Sequence, residues 1–422
     1  MESTLVTLGE DKRLRRWIAV LVLGNGISRI GDFVYIVAMN LYVLNVTRSA
    51  LAVAGIWIVP LIAQVLVGSW IGSVTDRLPK RVSLISVELL RTACIFALPI
   101  VPVFVIYPLL FVLGSASTFF GRLYFPYRTG LIPAYRRKSV NTWLNLFQSG
   151  ALILGPAVAG GLMQLGPVKY ALWADALSFL VSALAVVLLP EIKAPHSSPD
   201  SSPQKSNSRA WSTLRRDWRE AFNFLNGNLL FLAMFIGMSV VGIFGQAADA
   251  QEVVFAEEAL HLGQFGYGMM VVAAGAGFLL GAILLGRWGK HVSNRWLIAF
   301  GSVGVGAGYL VYALALGFWQ AVVGLIVLGI FGSAASVGYN TYAQQAMPVE
   351  RMGRINNLLA PPQQLITLVM MALAGVITNH YGVRTLMICM TSVMIVTGLF
   401  TTIVALQRRN RVALDPGPDL PM

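Results

Sequence analysis

Two cysteines in 422 residues, Cys94 and Cys389, exclude a disulfide framework. Both sit in apolar stretches without metal-ligand spacing. The four histidines, His196, His261, His291 and His380, fall between the long apolar runs, so no metal cluster or histidine relay is expected inside those runs. No phosphate-binding Gly-Lys loop occurs, which excludes an ATP-driven machine, and no nucleophile–base pair stands out. Neither an enzyme activity nor a cofactor is expected. Alternating ten-residue segments of the β-barrel kind are also missing. Acidic residues are scarce, 18 against 31 lysines and arginines, and charged residues make up only 12% of the chain.

What is abundant is apolar surface. Hydrophobic residues reach 56%, and runs such as 50–74, 82–107 and 171–189 attain the roughly 20 residues that a helix needs to cross a bilayer. The hydropathy pattern predicts an all-α integral membrane protein with twelve spans, at 17–44, 50–74, 82–107, 109–132, 141–165, 171–190, 228–250, 266–287, 296–317, 319–345, 355–378 and 384–406. The first run is too long and too interrupted by polar residues for a signal peptide and reads as a retained span.

Composition changes after the sixth span. "EIKAPHSSPDSSPQKSNSRA", Glu191 to Ala210, holds six serines and three prolines and cannot build a core, so it reads as a linker. Beyond it, Trp211, Leu214, Trp218, Phe222 and Leu225 recur at helical spacing, with Arg215, Arg216 and Arg219 between them. That pattern fits a surface-lying amphipathic helix or a lead-in to the seventh span. The expected organisation is therefore a six-helix half at 1–190, a cytoplasmic linker at 191–227, a second six-helix half at 228–406 and a cytoplasmic tail at 407–422.

The +13 net charge is a topology signal. With the N-terminus inside, 24 of the 31 basic residues fall in cytoplasmic segments, three in external loops and four within spans. A nucleic-acid surface is not needed to explain the charge. A repeat supports the two halves. An ungapped shift of 215 residues matches Tyr127 with Tyr342, Pro133 with Pro348, Arg136 with Arg351, Asn141 with Asn356, Gln148 with Gln363 and Gly160 with Gly375.

Between the second and third spans stands "GSWIGSVTDRLPKR", with Gly72, Asp76, Arg77, Lys80 and Arg81. Together with "SRIGDF", "LGPAVAGG", "ADALSFLVSAL" and "ERMGRINN", it resembles the major facilitator superfamily, in particular its drug-efflux branch with macrolide and siderophore exporters. Pro79 stands where that family's motif usually has Gly. The second half keeps only a worn copy, "GAILLGRWGKHVSNR", without the Asp. The resemblance implies an inner gate in which Asp76 meets the start of the eleventh helix and an arginine of the fourth. Gly72, Asp76, Arg77 and Arg128 are the candidates. It also implies that Gly155-Pro156, with Gly160, forms the fifth-helix kink found in antiporters, and that spans one, four, seven and ten line a central cavity.

Charged residues deep in a span are functional candidates. At 1.5 Å per residue, Arg29 and Asp32 lie roughly 18 and 22 Å in from Trp17, and Arg122 roughly 20 Å from the outer end of its span. Asp32 paired with Arg29 or Arg122 would suit proton coupling, or would hold two helices in register. Glu88 and Arg91 read as a structural i, i+3 pair near the inner surface, and Asp175 as a structural acid. Polar cavity candidates are Asn25, Tyr35, Gln246, Asn340, Tyr342 and Gln344. Asp249, Glu252, Glu257 and Glu258 read as an acidic, solvated outer loop.

The expected function is a secondary exporter of hydrophobic or amphipathic small molecules, working by alternating access and proton antiport. It would act as a monomer in the bacterial inner membrane with both termini cytoplasmic. Its partners would be substrate, protons and lipid, without nucleic acid. Two alternatives stand beside it: an exporter of one native substrate such as a siderophore, lipid or metal ion, and a transport-inactive sensor or scaffold.

Overall fold

A computed structural model describes residues 2–68, 71–75, 78–191, 219, 225–288, 292–346 and 349–414. Among them are twelve long helices: α1 (Glu2–Thr47), α2 (Ala50–Gly68), α3 (Lys80–Ala97), α4 (Val103–Leu131), α5 (Ala134–Leu165), α6 (Lys169–Val187), α7 (Leu229–Asp249), α8 (Gln264–Trp288), α9 (Asn294–Ala313), α10 (Phe318–Ala346), α11 (Val349–Tyr381) and α12 (Val383–Leu406). Eleven of the described helices are long and apolar enough to cross a membrane. The remaining long helix, α3, has 18 residues and carries Lys80, Arg81, Glu88 and Arg91.

Several helix boundaries differ from the expected spans. The first helix starts near Glu2 rather than 17, since no Pro or Gly interrupts the chain before Gly9 and helix continues through it. It stops at Thr47, where Arg48 takes a left-handed φ of 51°. The third span ends at Ala97, not 107, and the fourth begins at Val103, not 109. Pro99 and Pro102 open the chain there, and Pro102 is extended at ψ 152°, ahead of the first turn of α4. Pro108 remains inside α4, where one missing backbone bond is tolerated.

The chain forms two compact units, Met1–Arg48 with Gly55–Asp200 and Tyr267–Val272, and Ser49–Ala54 with Ser201–Gly266 and Ala273–Met422. The 215-residue repeat is visible in their helices: the shift carries Val103–Leu131 onto Phe318–Ala346 at both ends. Each unit has its own apolar cluster, and the repeat-related tyrosines sit in them. Tyr127 packs with Leu123, Leu131 and Leu144 in the first. Tyr342 packs with Phe231, Met234 and Ala343 in the second. Lipid is as apolar as these side chains, so helix association depends on close van der Waals fit. In the second unit α9 supplies that fit: a Cβ at Gly301 or Gly308 would overlap Ala335 or Leu328 of α10. In the first unit α1 packs on α5 and α6, and α6 on α3.

The acidic segment after α7 is helical rather than a loop, contrary to the expectation, although Asp249 and Glu258 are exposed as expected. Residues Glu252–Val254 and Phe255–Ala259 are helical, and Val253, Val254, Phe255 and Ala256 are buried. Apolar residues interleaved with the acids pull the segment inward. Burial, reinforced by the charge of Asp249, pushes the Glu252 carboxyl up to about 8.

Candidate functional site: a charge cluster beside a cavity in the first unit

Three helices of the first unit bring their polar residues together. On α1, Arg29, Asp32 and Tyr35 recur every three residues; on α3, Glu88 and Arg91 do so; on α6, Asp175, Ser178 and Ser182 lie at steps of three and four. The approach of α6 to α1 depends on Gly31. A Cβ there would overlap Ser178 Oγ and Asp175 Oδ1. A second close approach brings α5 against α1: a Cβ at Gly155 would overlap Phe33 Cβ and come within 2.9 Å of Ile30 O.

Arg91 is the centre of the cluster. Its Nη2 donates to Asp32 Oδ1 at 3.2 Å and its Nη1 to Glu88 Oε2 at 3.1 Å. Its guanidinium lies 3.7 Å from the Phe179 ring centroid and 5.3 Å from that of Phe120. A planar guanidinium can satisfy two carboxylates and still stack on a ring, which a lysine cannot do. Arg29 Nη1 donates to the other Asp32 oxygen at 3.2 Å. Ser182 Oγ donates to Glu88 Oε1 at 2.6 Å, and Ser178 Oγ to Asp175 Oδ1 at 3.1 Å. Glu88 and Asp175 are fully buried, whereas the Asp32 side chain is 26% exposed.

A cavity of 340 Å³ opens beside this cluster, lined by Asp32, Tyr35, Gln64, Arg91, Asp175 and Phe179 among others. Three of these lining residues carry a buried polar atom, Tyr35 Oη, Arg91 Nε and Asp175 Oδ2, with no hydrogen-bond partner among the described residues. Buried polar atoms are normally satisfied, so unsatisfied ones lining a cavity are suited to meet water, a proton or a solute.

The sequence-derived candidates divide as follows. Asp32, Arg29 and Tyr35 meet in the cluster. Arg122 does not: it is exposed and forms no ion pair among the described residues, and Arg91 takes the place expected for it. The Glu88–Arg91 pair forms as expected, but its second bond makes it part of the site. Asn25 is half-buried. In the second unit Gln246 donates weakly to Gly242 O at 3.5 Å, Asn340 donates to Ser336 Oγ at 3.2 Å and Gln344 is exposed. Tyr342 is a core residue. The second unit's own cavity, 290 Å³ between α7 and α11, is almost entirely apolar, with Phe235, Ile243, Phe244, Leu359 and Met370 in its wall. Near it in sequence, Tyr309 Oη donates to Asp249 Oδ1 at 2.8 Å.

Of the gate candidates, Gly72 lies in a short helix, Ile71–Thr75, while Asp76 and Arg77 are outside the described residues, as is most of the linker with its amphipathic pattern. Arg128 faces aromatic rings, 5.1 Å from the Phe125 centroid and 5.9 Å from that of Tyr124. Lys80 Nζ donates to Thr75 O, and Arg81 donates to Val186 O and Val187 O at the C-terminal end of α6, where a cation is favoured. Pro156 lies inside α5, which continues through it to Leu165.

The repeat does not copy the cluster. Shifting Asp32, Glu88, Arg91 and Asp175 by 215 gives Ala247, Val303, Gly306 and Met390. Two repeated helical units, of which one carries paired charges inside its membrane-length helices, are the construction of a solute transporter. The chain is a multi-pass membrane transporter, and it belongs to the Major Facilitator Superfamily, whose sequence profile matches residues 21–255 and 252–419. It is 22% identical over 406 residues to the uncharacterized MFS-type transporter YfiS of Bacillus subtilis (strain 168), covering 93% of this chain and 94% of that protein. Among solved structures it shares its fold with a bacterial homologue of the human lysosomal transporter Spinster in an inward-facing, unoccupied conformation. That match has a TM-score of 0.69 at 14% identity, covering 96% and 99% of the two chains. A bacterial homologue of the iron transporter ferroportin, also inward-facing, matches with a TM-score of 0.67 at 14% identity, covering 93% and 99%.

Proposed function

We propose that the protein is a secondary active exporter of hydrophobic or amphipathic small molecules, driven by proton antiport. The observation that carries this reading is the Asp32–Arg91–Glu88 chain of ion pairs lining a 340 Å³ cavity. Charges inside membrane-length helices are costly, and their usual role is on a solute or proton path. Asp32 is the coupling acid of the proposal. It is the most exposed carboxylate of the three, and it shares two arginines, Arg29 and Arg91. Taking up a proton would free both. The apolar wall of the second unit's cavity suits a hydrophobic ligand.

Export by antiport is supported by Gly155-Pro156 in α5, at the point where that helix presses on α1 next to Asp32. Gly160 extends the same small-residue stretch. The inner gate of the proposal is Asp76 with Gly72, Arg77 and Arg128. The orientation follows the basic residues, with both termini in the cytoplasm of a cell whose inner membrane holds the protein as a monomer.

The test is an efflux panel of amphipathic compounds in a bacterium lacking its own pumps, with and without a proton uncoupler. Lowered accumulation of several unrelated compounds, restored by uncoupler, supports the reading. Export of one compound class alone points to a dedicated native substrate, and no export of any compound contradicts the proposal.

A further inference from the structure

We infer that Asp175 is a resident proton site: its carboxyl is the neutral acid in the described arrangement, and it gives up its proton when Arg91 leaves Asp32. This rests on the antiport reading and assigns the proton a place within it.

The cluster contains three carboxyls and two guanidiniums, and both guanidiniums are committed. Arg29 is bound to Asp32, and Arg91 to Asp32 and Glu88. Asp175 has no ion pair among the described residues. Its side chain is fully buried, Oδ1 accepts one hydroxyl bond from Ser178, and Oδ2 is buried with no partner. An ionised carboxylate in such a place would need several donors or an adjacent cation. The charged and titratable groups that face it are Asp32 and Tyr35 from α1 and Glu88 and Arg91 from α3, while α5, which also touches α6, adds none. Two of these four are themselves carboxylates, and the one cation is already shared between them.

The same geometry supplies a release route. Asp175 lines the 340 Å³ cavity, and Tyr35 Oη, likewise buried without a partner, lines it too. A cavity of this size, with Asp32, Tyr35, Gln64 and Arg91 in its wall, has the room and the polar partners for water, which can accept the proton. The step is a simple transfer: the O–H bond of the Asp175 carboxyl breaks, a hydronium forms in the cavity, and a carboxylate remains. Arg91 keeps a buried Nε–H without an acceptor, and it is the cation that can neutralise the new charge. Drawing Arg91 toward Asp175 leaves Asp32 with Arg29 alone. Loss of the proton and opening of the Asp32 pair therefore favour each other. Asp32 Oδ1, the oxygen that Arg91 held, is then free for an incoming cationic or hydrogen-bonding solute, while Oδ2 stays with Arg29.

The experiment uses infrared difference spectroscopy of the full-length protein in lipid nanodiscs, without substrate, as pH is raised. Wild type should show the carbonyl stretch of a neutral carboxylic acid at neutral pH, lost on alkalinisation. Asp175→Asn should lack it. Ser178→Ala, which removes only the hydroxyl donor, should shift its frequency and keep it. Asp32→Asn releases Arg91 and should make the band disappear at lower pH. A band that survives in folded Asp175→Asn, or one that Ser178→Ala leaves unmoved, overturns the assignment. No wild-type band together with uncoupler-sensitive efflux would remove the Asp175 site and leave antiport standing. An Asp175 band together with uncoupler-insensitive efflux would do the reverse.

Discussion

Replacing Arg91 with methionine deletes two of the three ion pairs of the cluster at once, leaving Arg29–Asp32, while keeping an unbranched side chain. The guanidinium is 8% exposed, Glu88 is fully buried, and both bonds are close to 3.1–3.2 Å. Removing one partner of a buried pair strands the other charge, at a cost of about 3–5 kcal/mol. The stacked contact with Phe179 adds about 1–2 kcal/mol for a desolvated cation. Arg91→Met should therefore lower unfolding stability by about 4 kcal/mol or more, read by titrating SDS into detergent micelles and following tryptophan fluorescence. The triple change Asp32→Asn, Glu88→Gln, Arg91→Met leaves no buried charge stranded, only the 43%-exposed Arg29 without its partner, and should return to within about 2 kcal/mol of wild type, since buried pairs can be exchanged for neutral groups at little cost. Arg91→Lys should fall between, because an ammonium cannot bridge two carboxylates in a plane. A single Arg91→Met change that leaves stability within about 0.5 kcal/mol of wild type would refute the reasoning, as would a triple variant no better than the single one.

Gly31→Ala places a methyl group on Ser178 Oγ and Asp175 Oδ1, and should reduce uncoupler-sensitive efflux at least about tenfold, with part of the loss recovered in Gly31→Ala/Ser178→Ala. Glu252 is held up to about 8, above the ordinary 4.5, so the folded protein binds the extra proton between those values. Its contribution is full below pH 4.5 and is lost as pH rises through about 8; Glu252→Gln should flatten that fall in thermal stability, and an unchanged slope would contradict it. Asp76→Asn should shift spin-label distances across the cytoplasmic mouth toward the open form, while Lys80→Gln leaves them unchanged; equal behaviour of the two variants would remove Asp76 from the gate.

Much of the architecture is readable from the chain because the bilayer allows few alternatives. Helix number, the two-half plan and the repeat follow from apolar length and a 215-residue match. The boundary between α3 and α4 was not legible, because 82–132 is one nearly continuous apolar stretch with prolines at 99, 102 and 108, and hydropathy does not choose among them. Asp32 stands out since a carboxylate in an apolar run needs a reason. The role of Arg91 was hidden: Glu88 three residues earlier accounts for it locally, and its bond to Asp32 spans 59 positions of sequence. Asp175 was hidden in the same way, although Asp175, Ser178 and Ser182 share one helical face, a signal that the sequence does carry. Glu252 read as solvated because acids dominated the reading over the adjacent Val253, Val254 and Phe255, which decide its burial.

The central claim is that the Asp32 cluster ties transport to proton movement. It is tested most directly in sealed proteoliposomes holding the purified protein and a pH-sensitive dye, with the compound that responds most strongly in the efflux panel added outside. Wild type should move protons across the membrane on addition of compound. Asp32→Asn should bind the compound and move none. Proton movement in Asp32→Asn equal to that of wild type would contradict the account.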